Sequence, residues 1–169
     1  MARERVLAFR IARQHLGERT PDAATAAFPG LQDTPPGSAG AALADPDRPT
    51  VSVSGDGGFL FACGELATMA QEQIPLTVVI VDDGGYGMLR YDQVRAGAET
   101  FGVDLHTPDF EAMAASFGVW AETVFVLEED FGEALSRHVE TGQPSVLVAK
   151  TPTPLVPPPN TSPNWYRKR

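Results

Sequence analysis

The chain predicts an α/β fold, a three-layer sandwich with a mainly parallel sheet between helices. Strand-like and helical stretches alternate in the order strand, helix, strand, helix, helix, strand, helix, strand, which favours crossover connections and parallel pairing. The apolar run at 76–81 suits a strand covered on both faces. Two of the strands run directly into glycine clusters, Gly55-Asp56-Gly57-Gly58 and Asp82-Asp83-Gly84-Gly85-Tyr86-Gly87.

Taken in order, residues 3–16 read as an amphipathic basic helix, with Val6, Phe9, Ala12 and Leu16 near the helical period. Residues 17–40 are turn-rich and hold Pro21, Pro29, Pro35 and Pro36. A strand is expected at 50–54 and a helix at 64–73, with Leu66, Met69 and Ala70 on one face. The next strand is expected at 76–81, a helix at 87–94, and a loop at 95–106. Thr107-Pro108-Asp109 reads as a helix start: a hydroxyl cap, proline at the first helical position and an acid in the first turn. That helix should end near Gly118. A strand at 121–126, a helix at 128–140 with acids first and Arg137 and His138 last, and a strand at 144–150 complete the series. From Thr151 the chain is proline-rich and expected to be extended. The expected organisation is a basic helix plus Pro/Gly-rich linker over 1–43, a folded domain over 44–150 and a tail over 151–169.

With 169 residues the chain is long enough for one domain with its own core. A net charge of −9 argues against a nucleic-acid binder as a whole, although the first twenty residues carry five Arg against two Glu. The single Cys63 allows no internal disulfide, which fits a reducing compartment, and it reads as a small buried hydrophobe. No apolar run approaches the roughly 20 residues of a membrane span, and the basic start lacks the apolar block of a signal peptide. A cytoplasmic location is the expectation.

The two glycine clusters carry the chemistry. Glycines let backbone approach a ligand, and a following helix start favours an anion. Carboxylates in the same turns would repel a phosphate unless a cation lay between them, and hard oxygen donors beside a diphosphate suit Mg²⁺. A metal–diphosphate site at the carboxyl ends of two neighbouring parallel strands follows. Asp-Gly turns that merely cap helices are the bland alternative. No Gly-x-Gly-x-x-Gly follows a strand, no serine elbow occurs and no Cys/His cluster is present.

Gly55-Asp56-Gly57, the spacer 58–81 and Asp82-Asp83, with the wording VSVSGDGGFLFACGELATMAQ and LTVVIVDDGGYGMLRYDQ, resemble the thiamine diphosphate (ThDP) enzymes of the acetolactate synthase and 2-oxo acid decarboxylase group. The resemblance covers residues 44–169 and implies their ThDP-binding fold, ThDP and Mg²⁺ as cofactors, and decarboxylation or carboligation of a pyruvate-like 2-oxo acid. It implies that Asp56, Asp83 and the Gly85 carbonyl hold the metal. Gly55, Gly57, Gly58, Tyr86, Gly87 and Met88 would line the cofactor. The family usually has Asn-Asn where Asp82-Asp83 stands here, so the site carries extra negative charge. In the family the glutamate that activates the cofactor sits in a separate amino-terminal domain across a dimer interface. The chain should therefore be half of a site, carrying no catalytic residue of its own, and need a second copy or a partner chain. The family's loop before the first long helix is matched here by Gly37-Ser38-Ala39-Gly40, with Ala39 small for its wedge role and the helix shortened. VLAFRIARQHL followed by GLQDTPPGSA is similar to the opening of a winged-helix, DNA-glycosylase-like family; a basic surface helix plus linker is the preferred reading there. A non-catalytic binding module or gene-fusion relic, nucleic-acid associated through residues 1–40, is the alternative.

Overall fold

The computed structural model describes residues 24–26, 34–125 and 130–151. Readings of the basic helix with its His15, of 126–129 and of the proline-rich tail lie outside them. The elements are β1 (Ala24–Ala26), α1 (Thr34–Ala44), β2 (Thr50–Gly55), α2 (Asp56–Leu60), α3 (Glu65–Gln71), β3 (Leu76–Asp82), α4 (Gly87–Arg95), α5 (Phe110–Ser116), β4 (Trp120–Phe125), α6 (Asp130–Glu140) and β5 (Ser145–Lys150). The five strands form one sheet in the order β1-β2-β3-β5-β4, and every neighbouring pair is parallel. Among the described residues no helix is long and apolar enough to cross a membrane.

Strand periodicity divides the core. Leu76, Val78, Ile80, Val146 and Val148 face one way, against Ala39 and Ala42 of α1, Phe59 of α2, Leu66 and Met69 of α3, and Phe110 and Ala114 of α5. Val51, Val53, Val79, Val81, Leu147 and Ala149 face the other, against Phe131, Ala134 and Leu135 of α6. Strand β3 is buried at every residue, as its unbroken apolar run requires. Strand β2 is buried throughout but alternates Val with Thr and Ser. Small side chains on both β2 and α1 let that helix lie close to the sheet.

Three local readings are corrected. Residues 34–43, read as linker with a loop at Gly37-Ser38-Ala39-Gly40 before a shortened helix, lie within the eleven-residue helix α1; Pro35 and Pro36 fall in its first turn, where their missing N–H groups have no helical acceptor to lose. Helix α5 is capped by Asp109, not Thr107: its carboxylate accepts from the Ala112 N–H at 2.9 Å, and Glu111 supplies the first-turn acid. Residues 95–106 are not all loop, because Asp104 forms an isolated antiparallel bridge with Gly85.

His138, on the last turn of α6, is fully buried, and neither ring nitrogen has a hydrogen-bond partner among the described residues. Its ring stacks on Trp120 at 3.8 Å and 11°. Burial, and next the Arg137 charge, push its pKa down to about 4. Glu122 Oε2 lies 3.7 Å from Nε2, but Arg137 draws the other Glu122 oxygen to 2.6 Å, so the carboxylate does little to hold a proton on the imidazole. Between pH 6.5 and 4 the unfolded chain takes up a proton that the folded chain refuses. This group's stability contribution is therefore whole above pH 6.5 and lost as pH falls towards 4, by up to about 3 kcal/mol. Urea unfolding at pH 7.5 and 4.5 should show a smaller acid loss in His138→Phe than in the wild type.

Candidate functional site

The site is built by register. Gly55 pairs with Val81 across β2 and β3, so the residues that follow each strand emerge side by side at the carboxyl edge of the sheet. Asp56 opens α2 directly after Gly55, which is its N-cap in extended conformation. Asp82 ends β3, and Asp83 enters the second glycine turn. All three carboxylates are buried, Asp56 at 1% exposure.

Asp56 joins the two turns. One carboxylate oxygen accepts from its neighbour's Gly57 N–H at 2.6 Å, and the other accepts from the Gly85 N–H at 2.8 Å. Burial raises its pKa to about 6; the Asp83 and Asp82 charges add to the rise, and the two N–H donors oppose it. The second turn is held in a shape that favours glycine, with φ of +79° at Gly84 and +149° at Gly85. A Cβ on Gly85 would lie 2.2 Å from the Val103 carbonyl oxygen, and one on Gly87 would lie 2.5 Å from Asp83 Oδ2.

Asp82 holds the turn instead of pointing out of it. Its Oδ1 accepts from Gly84 N–H at 3.3 Å, and its carbonyl accepts from the Thr151 N–H at 3.1 Å. Tyr86 caps α4, and its ring lies against Gly57, 2.6 Å from where a Cβ would stand. Met88 is exposed on α4, whereas Gly58 and Gly87 are buried. The structure thus brings together Gly55, Asp56, Gly57, Gly58, Asp83, Gly85, Tyr86 and Gly87, and leaves Met88 at the rim. The Gly57 N–H, expected to face a diphosphate, is turned onto Asp56. Exposed His106 takes no part. Sequence reasoning missed Val103 and Leu105, which close on the second turn from 16 or more residues further along the chain; a backbone contact of that kind leaves no residue-type signal.

Among the described residues, no group of three or more His, Cys, Asp or Glu side chains is placed to hold a metal. Two buried carboxylates whose charges oppose one another are nevertheless suited to a hard divalent cation whose remaining positions are filled by backbone, water or phosphate oxygens. Neither hydrogen bond of the Gly85–Asp104 bridge uses the Gly85 carbonyl. A pocket lined by Pro49, Thr50, Pro75, Thr77 and His138 opens at the opposite, amino ends of β2 and β3, away from these turns.

Comparison with known proteins identifies the family. The family described as thiamine pyrophosphate enzyme, C-terminal TPP binding domain, matches residues 12–149; the match begins within the stretch read as an atypical lead. A putative thiamine pyrophosphate-containing protein, YdaP of Bacillus subtilis, is 33% identical over 66% of this chain and 19% of its own length. A probable acetolactate synthase large subunit of Methanocaldococcus jannaschii is 33% identical over 73% of this chain and 22% of its own. Among solved structures, the thiamine diphosphate-dependent 4-hydroxybenzoylformate decarboxylase of Rhodococcus jostii RHA1 superposes with a TM-score of 0.63 at 32% identity, over 69% of this chain and 22% of that one. The chain thus spans about a fifth of the length of these relatives.

Proposed function

The chain belongs to the thiamine pyrophosphate enzyme C-terminal binding-domain family, and on that premise we propose that it binds the diphosphate of ThDP through Mg²⁺ as one part of an acetolactate-synthase-like site for 2-oxo acids. The observation that carries this reading is the Asp56 carboxylate bridging two glycine turns at adjacent strand tips, with Asp83 beside it. Asp56, Asp83 and the Gly85 carbonyl would hold the cation. A divalent charge there offsets the repulsion that lifts the Asp56 pKa, and it lets an anionic diphosphate approach otherwise repellent acids. Bound ThDP supplies carbanion chemistry at the 2-oxo acid carbonyl; this chain's residues anchor and orient it.

The proposed site is incomplete in this chain. No acid from the described residues is proposed to activate the cofactor, and Met88, Leu89, Val94 and Phe101 are exposed on and beside α4. Apolar side chains so exposed next to a binding turn fit a surface covered by another domain, a second copy or a partner chain.

Calorimetric titration of the chain with ThDP tests the reading: binding is expected with Mg²⁺ and absent with chelator. Equal heats under both conditions would remove the metal from the proposal. Incubation with ThDP, Mg²⁺ and pyruvate should release no carbon dioxide unless a partner is added, and release by the chain alone would contradict the half-site.

A further inference from the structure

We propose that residues 101–105, fastened to α4 by Arg90 and Gln93, are a clamp that holds the second glycine turn in its ligand-presenting shape. Arg90 and Gln93 are therefore positioning residues for the metal–diphosphate site. The inference rests on the cofactor reading above and extends it to residues that touch neither proposed ligand.

The turn needs such a device. Gly84 and Gly85 stand in consecutive positive-φ conformations, and glycine pairs have more backbone freedom to lose than any other residues. Left alone, the turn would sample many shapes, few of which set the Asp83 carboxylate and the Gly85 carbonyl on one point. The segment opposite supplies the restraint. The Tyr86 N–H donates to the Val103 carbonyl at 2.8 Å, and the Leu105 N–H donates to the Gly84 carbonyl at 3.0 Å. These two bonds bracket Gly85 from both sides. The close approach of Val103 leaves no space for a side chain at Gly85. Leu105 reaches further, its Cδ1 standing 3.3 Å from where a Gly57 Cβ would lie, so the same segment touches both turns.

The segment is tied down in turn. Gln93 binds the Phe101 backbone at both ends of its amide, donating to the carbonyl at 3.1 Å and accepting from the N–H at 2.8 Å. Arg90 pairs with Asp104. Residues 90 and 93 are three apart on α4 and so share a face. Helix α4 begins at Gly87, directly after the turn, which makes turn, helix and clamp a closed loop of contacts. Arg90 is 17% exposed and Asp104 is 70% exposed, so the ion pair alone is weak. The Gln93 double bond to backbone is the stronger tie, and the two together make the restraint.

The test uses the full chain and two readouts. Amide hydrogen exchange of Tyr86 and Leu105 reports the clamp without any cofactor, and calorimetry with ThDP and Mg²⁺ reports the site. In Gln93→Ala and Arg90→Ala, exchange at both amides should quicken about tenfold and about threefold, with ThDP affinity falling by similar factors. The exchanged pair Arg90→Asp with Asp104→Arg should recover much of the Arg90→Ala loss, which a general destabilisation would not do. Unchanged exchange in the variants overturns the clamp. Faster exchange with unchanged ThDP affinity overturns its role in positioning. A wild-type chain that binds no ThDP, while the exchange effects hold, removes the cofactor reading and the positioning role together and leaves the clamp itself standing.

Discussion

Asp56→Asn is expected to abolish Mg²⁺-dependent ThDP binding, weakening it more than about a hundredfold. That is the size of effect when one partner of a buried charge interaction is removed, about 3–5 kcal/mol. The same change should do little harm to the fold at neutral pH. Burial lifts the Asp56 pKa from 3.8 to about 6, so holding the carboxylate charged in the folded chain costs up to about 3 kcal/mol. An amide removes that cost. It also loses one acceptor, since its NH₂ cannot receive an N–H as the carboxylate does from Gly57 and Gly85, which costs about 1.5–3 kcal/mol. The two nearly cancel. The sign with pH is testable. A raised folded pKa means that the contribution of Asp56 is whole below pH 3.8 and is lost as pH rises through about 6. On acidification Asp56 therefore stabilises the wild type while His138 destabilises it. Asp56→Asn should steepen the acid loss, and His138→Phe should flatten it. Parallel denaturation curves for all three proteins between pH 7.5 and 4.5 would contradict both assignments. Calorimetry at pH 7.5 separates the binding defect from any fold defect, because the variant should remain folded there.

Gly85→Ala is expected to give the largest loss of stability among single glycine changes. Its φ of +149° is strained for any L side chain, and the new Cβ would stand 2.2 Å from the Val103 carbonyl oxygen and 3.0 Å from the Leu105 nitrogen. Both neighbours are backbone, so no side chain can swing away. Strain of about 1–3 kcal/mol adds to the cost of displacing the clamp, for a total of about 3–5 kcal/mol and a melting temperature about 10 °C lower. Gly97→Ala is the control. Its φ of +69° is also positive, but among the described residues nothing lies within 4 Å of its would-be Cβ, so it should lose only about 1–2 kcal/mol. Equal losses in the two variants would mean that backbone conformation, and not the close approach of Val103, sets the penalty.

Much of the fold was legible in the chain. The β3 strand was marked by its apolar run, and its observed bounds, Leu76–Asp82, exceed the expected ones by one residue. Helix α6 could be read from Arg137 and His138 at its end. Helix α1 was legible only as a shortened helix after Gly40 and its first turns were not, because two prolines and two glycines in eleven residues look like a turn; burial of Ser38, Ala39 and Ala42 against the sheet outweighs their weak propensity. The start of α5 was placed two residues early, at Thr107 in place of Asp109, a shift of the size by which helix ends ordinarily differ.

The sequence by itself determined the alternation of elements and marked two acid-bearing glycine turns; the family was read from the resemblance of those motifs. These are local properties, set by periodicity and by which residues tolerate which backbone angles. Only the tertiary structure decided that Asp56 spans the two turns, that the Gly57 N–H is already engaged, and that residues 101–105 fold back to fix Gly85. The bond that spans the turns and the two that fix Gly85 join segments distant along the chain, whereas the Gly57 N–H meets the side chain of its immediate neighbour. Their donors and acceptors are mostly backbone groups that every residue carries, so side-chain identity could not announce them.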